Sequence, residues 1–276
     1  MIEISRTVRF CISDGAAGMG SDSPQALARH NSYSAWPPMR GLGRYYELDV
    51  TCRGEPDGRS GYLLNIKHLD EAVREHVLDY FERLLASPVC PAVIPMGELM
   101  QRLMNLLQPP LDEQVVSLRF HLSPRYSLEI RNQDMNYVIV RQQYEFAAAH
   151  RLHVPELSEQ ENRRIFGKCN NPAGHGHNYR VEVAVRAPVD PGGHVLLVEE
   201  LDEIVDEHVI SKLDHKHLNQ DVPQFANVNP SVENIVRAIW QMLVEPVKDA
   251  GRIDGAALEE VRVWETEKTV CAYRGE

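Results

Sequence analysis

From Asn178 to Arg186 apolar and polar residues alternate. Tyr179, Val181, Val183 and Val185 stand against Arg180, Glu182 and Arg186, the period of a half-buried strand. Tyr137 to Ala149 has strand composition and runs into His150. Pro188 to Gly193 reads as a turn, and His194 to Val198 as a further extended run. The period then changes. Leu201, Ile204, Val205, His208 and Val209 recur at helical spacing, and a loop is expected from Leu213 to Asn229. Pro230 and Ser231 open a second helix, whose apolar side carries Val232, Ile235, Val236, Ile239 and Leu243. Val261 to Trp264 and Thr269 to Tyr273 predict a closing pair of strands. The order is strand, strand, helix, helix, strand, strand.

The first half carries the same pattern. Tyr46-Glu47-Leu48-Asp49-Val50 sits where Tyr179-Arg180-Val181-Glu182-Val183 sits later. Leu69-Asp70-Glu71 with Glu75-His76-Val77 mirrors Leu201-Asp202-Glu203 with Glu207-His208-Val209. Pro95 and Glu98 mirror Pro230 and Glu233. Three matches in one order suggest an internal duplication. The polar stretch Asn132 to Asn136 sets the expected boundary, giving units 1–136 and 137–276.

Composition narrows the function classes. The 276 residues carry a formal net charge of −11, which argues against a nucleic-acid partner. An anionic substrate would need a local basic cluster. No run approaches the roughly 20 apolar residues that span a bilayer, and Met1 to Gly20 holds no signal-peptide core. Cys11, Cys52, Cys90, Cys169 and Cys271 are odd in number and scattered. They form no disulfide framework, and a reduced cytoplasmic protein is expected.

His175 and His177 are two apart at the start of a strand, so their imidazoles share a face. His150 closes the preceding strand, where an antiparallel neighbour can bring a third imidazole beside them. Three histidines without a fourth protein ligand leave an open position, the pattern of catalytic zinc. Imidazole-only sets also suit iron or copper, and a lone His-x-His is more often a solvated strand end. Cys169 lies in the polar loop Gly167-Lys168-Cys169-Asn170-Asn171-Pro172, and Lys168 and a nearby metal would both favour its thiolate. Such a thiolate can act as nucleophile or as base. In Asp214-His215 a carboxylate adjoins an imidazole that can shuttle protons near neutral pH. Glu265, at a strand end, can accept two parallel N–H donors from a planar heterocycle. Taken singly, the Asp-His pair and Glu265 would pass for surface groups.

Together these segments resemble the 6-pyruvoyl-tetrahydropterin synthase family, which includes 6-carboxy-tetrahydropterin synthase of the queuosine pathway. The resemblance is carried by Phe146 to His150, Gly167 to Tyr179, Leu213 to Asn219, Pro230-Ser231-Val232-Glu233-Asn234 and Glu265-Thr266. It implies an α+β architecture of T-fold units, each a four-stranded antiparallel sheet with two helices on one face. It implies zinc on His150, His175 and His177, and Cys169 as general base with Asp214 and His215 as relay. Glu265 would anchor the pterin, with Thr266, Ser231 and Glu233 as further substrate contacts. The implied substrate is 7,8-dihydroneopterin triphosphate, from which triphosphate is eliminated. Arg163, Arg164 and Lys168, with Arg151 and Lys216, are the candidate cations for its phosphates. Five residues separate Cys169 from His175, as in the pyruvoyl-forming enzymes of animals, whereas many bacterial carboxy-forming members have three. The product stays open on this evidence.

The first half departs at the site. Leu42-Gly43-Arg44-Tyr45-Tyr46 replaces the histidine motif, Trp36 falls near the cysteine position, Asp14 near the first histidine and Leu122 at the place of Glu265. It reads as a degenerate, structural copy. The family also implies rings of three units stacked in pairs, so three tandem chains would supply six units as a homotrimer. The rival readings are a non-catalytic metal- or pterin-binding module, a zinc hydrolase using metal-bound water, and a GTP cyclohydrolase-like enzyme.

Overall fold

The computed structural model describes residues 1–12, 44–86, 94–250 and 254–276. Cys90, Asp14, Trp36, Leu42 and Gly43 lie outside these residues. The chain divides into two units, Met1–Val138 with Val189–Val195, and Ile139–Pro188 with Leu196–Glu276. Among the described residues no helix is long and apolar enough to cross a membrane.

In the first unit, strands β1 (Ile2–Ile12), β2 (Arg44–Gly54), β3 (Val115–His121) and β4 (Tyr126–Arg131) pair in that order, all antiparallel. Alternation decides which side meets the helices. Val8, Phe10, Leu48, Val50, Leu118, Phe120, Leu128 and Ile130 are buried. They share that core with Leu69, Val73, Val77, Leu99 and Leu103 of α1 (Ile66–Ala72), a π-helical segment (Val73–Leu78) and α3 (Met96–Leu107). Between the π segment and α3 runs α2 (Asp79–Ala86). The alternate strand positions are polar and pair among themselves. Asp49 accepts from Thr7 at 2.5 Å and lies 2.8 Å from His121 Nε2, and Arg9 meets Glu47 at 3.2 Å. Segment Val189–Val195 belongs to this unit, where the amide of Glu98 donates to Gly193 O at 2.9 Å.

In the second unit, β5 (Tyr137–His150, from Ile139 on), β6 (His175–Pro188), β8 (Ala257–Thr266) and β9 (Thr269–Tyr273) follow one another, and β7 (Lys216–His217) pairs with β5 in parallel. Helix α4 (Glu159–Phe166) starts from a capping box made by Ser158 and Glu161. Then come α5 (Val198–Val205), a π segment (Asp206–Ile210), α6 (Ser211–Leu213), α7 (Leu218–Asp221) and α8 (Val232–Lys248). Leu201, Val205, Val209, Ile235, Ile239 and Leu243 are buried, as are Tyr179, Val181, Val183, Val261 and Val263 on the strands.

Three expectations change. His194 to Leu197 is not a strand, and Val198 already opens a helix. Asp190 holds that stretch in a turn by accepting from the His194 amide at 2.8 Å. The expected loop Leu213 to Asn229 contains β7, α7 and a 3₁₀ turn at Pro223–Phe225. The centre of β6 is buried on both faces, since Glu182 is as buried as its apolar neighbours. Arg141 lies 3.4 Å from Glu182 and 3.2 Å from Glu260, and Gln143 donates to Glu182 at 3.0 Å. Burial pushes the Glu260 carboxyl up, but Arg262, Arg141 and Arg274 outweigh it and hold it below the usual range.

Candidate metal centre

β5 ends and β6 begins at the same place, and this brings His150, His175 and His177 together. One ligand atom from each lies within 4.8 Å of the others. His150 Nδ1 stands 2.7 Å from the carbonyl of Pro230. A carbonyl can only accept, so Nδ1 carries the proton and Nε2 keeps its lone pair. That Nε2 is 3.1 Å from His175 Nε2. Nitrogens about 2.05 Å from a tetrahedral ion would stand about 3.3 Å apart, so the spacing fits a shared metal. His177 Nε2 is buried with no hydrogen-bond partner. Burial, together with His175, His177 and His217, pushes the His150 pKa down to about 4 against the opposing pull of the Pro230 carbonyl. The ring is therefore a neutral donor across the physiological range. On donor set, spacing and orphaned nitrogen, these residues fit a metal ion.

Glu265, near the end of β8, faces the cluster. Its Oε1 lies 3.6 Å from His150 Nε2 and 3.9 Å from His177 Nε2. Tyr179 is fully buried below, with its hydroxyl 3.3 Å from His150 Nδ1 and its ring stacked on Phe146. The Tyr179 phenol is pushed up by burial, then by Glu265 and by Cys169. Glu265 and Cys169 thus both act on the same hydroxyl. Cys169 is half-buried in a 3₁₀ turn, Gly167–Asn170, whose place is fixed by Leu152 N donating to Cys169 O at 2.9 Å.

Asp214 and His215 form a pair of their own. His215 Nδ1 is 2.7 Å from Asp214 Oδ2, and Asp214 Oδ1 accepts from Ala147 N at 2.8 Å. The Ala147 amide, then the His215 ring, hold the Asp214 carboxyl below its usual range. His215 has φ 56°, a left-handed backbone that turns its ring outward, and the side chain is 83% exposed. Ser231 stands at the N-cap position of α8, and its hydroxyl lowers the Glu233 carboxyl. Glu233 also acts on Cys271 of β9, and Thr266 is exposed, its Oγ1 accepting from Lys268 N at 3.2 Å. Arg163, Arg164 and Lys168 are exposed, while Arg151 Nε donates to Asn170 O at 3.2 Å.

Two contributors carry no side-chain signal in the sequence. The Pro230 carbonyl fixes the His150 tautomer from 80 positions away. Gly174 (φ 73°) leaves room that a Cβ would fill, 2.9 Å from His217 Nε2 and 3.0 Å from His150 O. Tyr179 was legible only as a core residue, because nothing in its alternation marks a hydroxyl aimed at a ligand.

The family model for 6-pyruvoyl tetrahydropterin synthase matches residues 139–276, starting where the second unit starts. A "6-pyruvoyl tetrahydrobiopterin synthase" of Poecilia reticulata is 44% identical over 132 residues, 48% of this chain and 86% of the relative. The protein of the same name from Homo sapiens is 42% identical over 138 residues, covering 50% of this chain and 91% of its own length. A solved 6-pyruvoyl tetrahydropterin synthase from Caenorhabditis elegans is 35% identical, with a TM-score of 0.45, over 51% of this chain and 96% of that one. With half its length matched to that family model, the chain belongs to the 6-pyruvoyl tetrahydropterin synthase family.

Proposed function

We propose that the second half is a zinc-dependent pterin synthase acting on 7,8-dihydroneopterin triphosphate. It eliminates triphosphate and forms 6-pyruvoyl-tetrahydropterin, the product in the name of its relatives; 6-carboxy-tetrahydropterin is the alternative product. The observation that carries this reading is the three-imidazole cluster in which the Pro230 carbonyl holds His150 Nδ1 and leaves Nε2 for an ion. His150, His175 and His177 would hold the ion. Bound zinc supplies Lewis-acid polarisation of the substrate's side-chain oxygens, which acidifies the adjacent carbon.

The chain's own groups do the rest. Cys169, as thiolate, takes the proton from that carbon, and the bond to the triphosphate oxygen breaks as the electron pair moves. Asp214 fixes the His215 ring for proton relay. Glu265 accepts the N–H donors of the pterin, with Thr266, Ser231 and Glu233 as further contacts. The exposure of His215 favours a relay onto a neighbouring subunit's site.

We read the first unit, residues 1–136, as a degenerate T-fold copy that supports the catalytic unit, 137–276. Equivalent irregularities support the duplication. The ladder shifts register five residues after Tyr46 in β2 and five after Tyr179 in β6. Both π segments end nine residues after the matching Leu69 and Leu201. Bulges and π turns mark particular places in a fold, so their recurrence at matching positions supports the duplication. The free thiols Cys52, Cys169 and Cys271 favour a cytoplasmic protein.

Mass spectrometry of the reaction with dihydroneopterin triphosphate tests the proposal. Wild type gives the tetrahydropterin and inorganic triphosphate, while Cys169→Ser stays folded and metal-loaded with turnover down by about 10² or more. No product from the wild type would favour a binding module. Activity surviving Cys169→Ser would favour a hydrolase using water.

A further inference from the structure

β7 is two residues long, and its side chains point to opposite faces. His217 faces the metal centre: its Nε2 lies against Gly174, and it is among the groups that act electrostatically on His150. Lys216 faces the other way, into a cavity of about 410 Å³ shared with Lys212 and His208. Val222, Pro223 and Met242 form an apolar wall. All of these residues belong to the second unit.

The charge of this cavity differs from that of the chain. In a protein of net charge −11, two ammonium groups line one cavity, and neither has an ion-pair partner among the described residues. Asp221 is the acidic residue of the lining, and its Oδ2 accepts from His217 N at 2.7 Å. Glu207 is the nearby carboxylate, 4.0 Å from His208 Nε2. Two exposed ammonium side chains on one cavity, without acidic partners of their own among the described residues, make a local field that favours an anion. A helix end accounts for only one of them. Lys212 lies in the last turn of α6, where cations are favoured, but Lys216 is in the strand beyond. The volume falls within the range of small-molecule sites, and a bare phosphate would leave the apolar wall unused.

We propose that this cavity binds a phosphate-bearing organic anion, its phosphate on Lys212 and Lys216 and its apolar body on Val222, Pro223 and Met242. The site is distinct from the histidine cluster and stands whether or not the cluster holds zinc.

Titration calorimetry on the full chain at low ionic strength tests it, with phenyl phosphate, adenosine 5′-monophosphate and inorganic phosphate as probes. Saturable binding of both esters is expected, unchanged in metal-stripped protein and in His175→Ala. Lys212→Glu should weaken both by about tenfold or more, the worth of one charge-assisted contact, and Lys212→Gln by somewhat less. Met242→Ala should weaken phenyl phosphate but not inorganic phosphate. The proposal is overturned if neither ester binds saturably. It also fails if Lys212→Glu leaves affinity unchanged, or if binding disappears with the metal, which would put the anion at the histidine cluster.

Discussion

Gly174→Ala tests how tightly the loop before β6 is fixed. Gly174 has φ 73°, and placing a Cβ in the left-handed region costs about 1–2 kcal/mol. The same Cβ would stand 2.9 Å from His217 Nε2 and 3.0 Å from His150 O. Relieving such contacts costs roughly 1–3 kcal/mol more. The His217 ring tip can turn aside, but His150 O is backbone at the end of β5 and cannot. The loop must therefore move, and it carries His175, the next residue. A loss of about 2–5 kcal/mol in unfolding free energy is expected, with metal affinity lower by about 10–100-fold, as for other changes that displace a ligand's support. Gly176→Ala is the internal control. Its Cβ would meet only Ala148 O, at an ordinary 3.6 Å, so stability and metal affinity should stay near wild type. Denaturant unfolding and competition with a chromophoric chelator measure both quantities. If Gly174→Ala matches Gly176→Ala, the loop is not the constraint argued here.

Metal analysis should find one equivalent per chain, because among the described residues only His150, His175 and His177 form such a cluster; it should fall to near zero in His175→Ala with His177→Ala, and two equivalents would contradict the assignment. For pH, the folded His150 pKa of about 4 lies below the ordinary 6.5, so the unfolded chain binds the extra proton between those values. Metal-stripped protein should hold its stability above about pH 7 and lose it as pH falls from about 6.5 to about 4, a slope that His150→Gln should flatten in denaturant titrations. Light scattering on the intact chain should give the mass of three chains or a multiple, since two units per chain would let three chains supply six; a stable, fully active monomer would end that idea.

Period was the legible part of this sequence. The strands and the two long helices of the second half could be placed because a one-sided core forces alternation or helical spacing. The same logic failed for His194 to Val198. An apolar run of four, Val195 to Val198, has no period of its own, and the Asp190 side chain that holds the preceding His194 in a turn acts four positions away. Glu182 was misjudged for a related reason: a carboxylate in an alternating strand reads as solvent-facing unless its buried partners are known. Here they come from Arg141 and Gln143 on another strand. At the metal centre, two ligands were legible from their spacing of two. The tautomer of the third was not, because a backbone carbonyl has no letter in the sequence.

The proposed duplication also gives a reason why a copy could lose its chemistry and keep its shape. Register is set in mid-strand, where Leu48 faces Phe120 and Val181 faces Val263. The metal centre is set at strand ends. In the proposed duplication Tyr46 corresponds to Tyr179, at the border between the two. Tyr179 stacks on Phe146 and directs its hydroxyl to His150. Tyr46 instead packs among Phe10, Phe81 and Phe120, with ring centroids 5.1–6.1 Å away. In the first unit the position is closed by aromatic rings, which need no ligand to satisfy them.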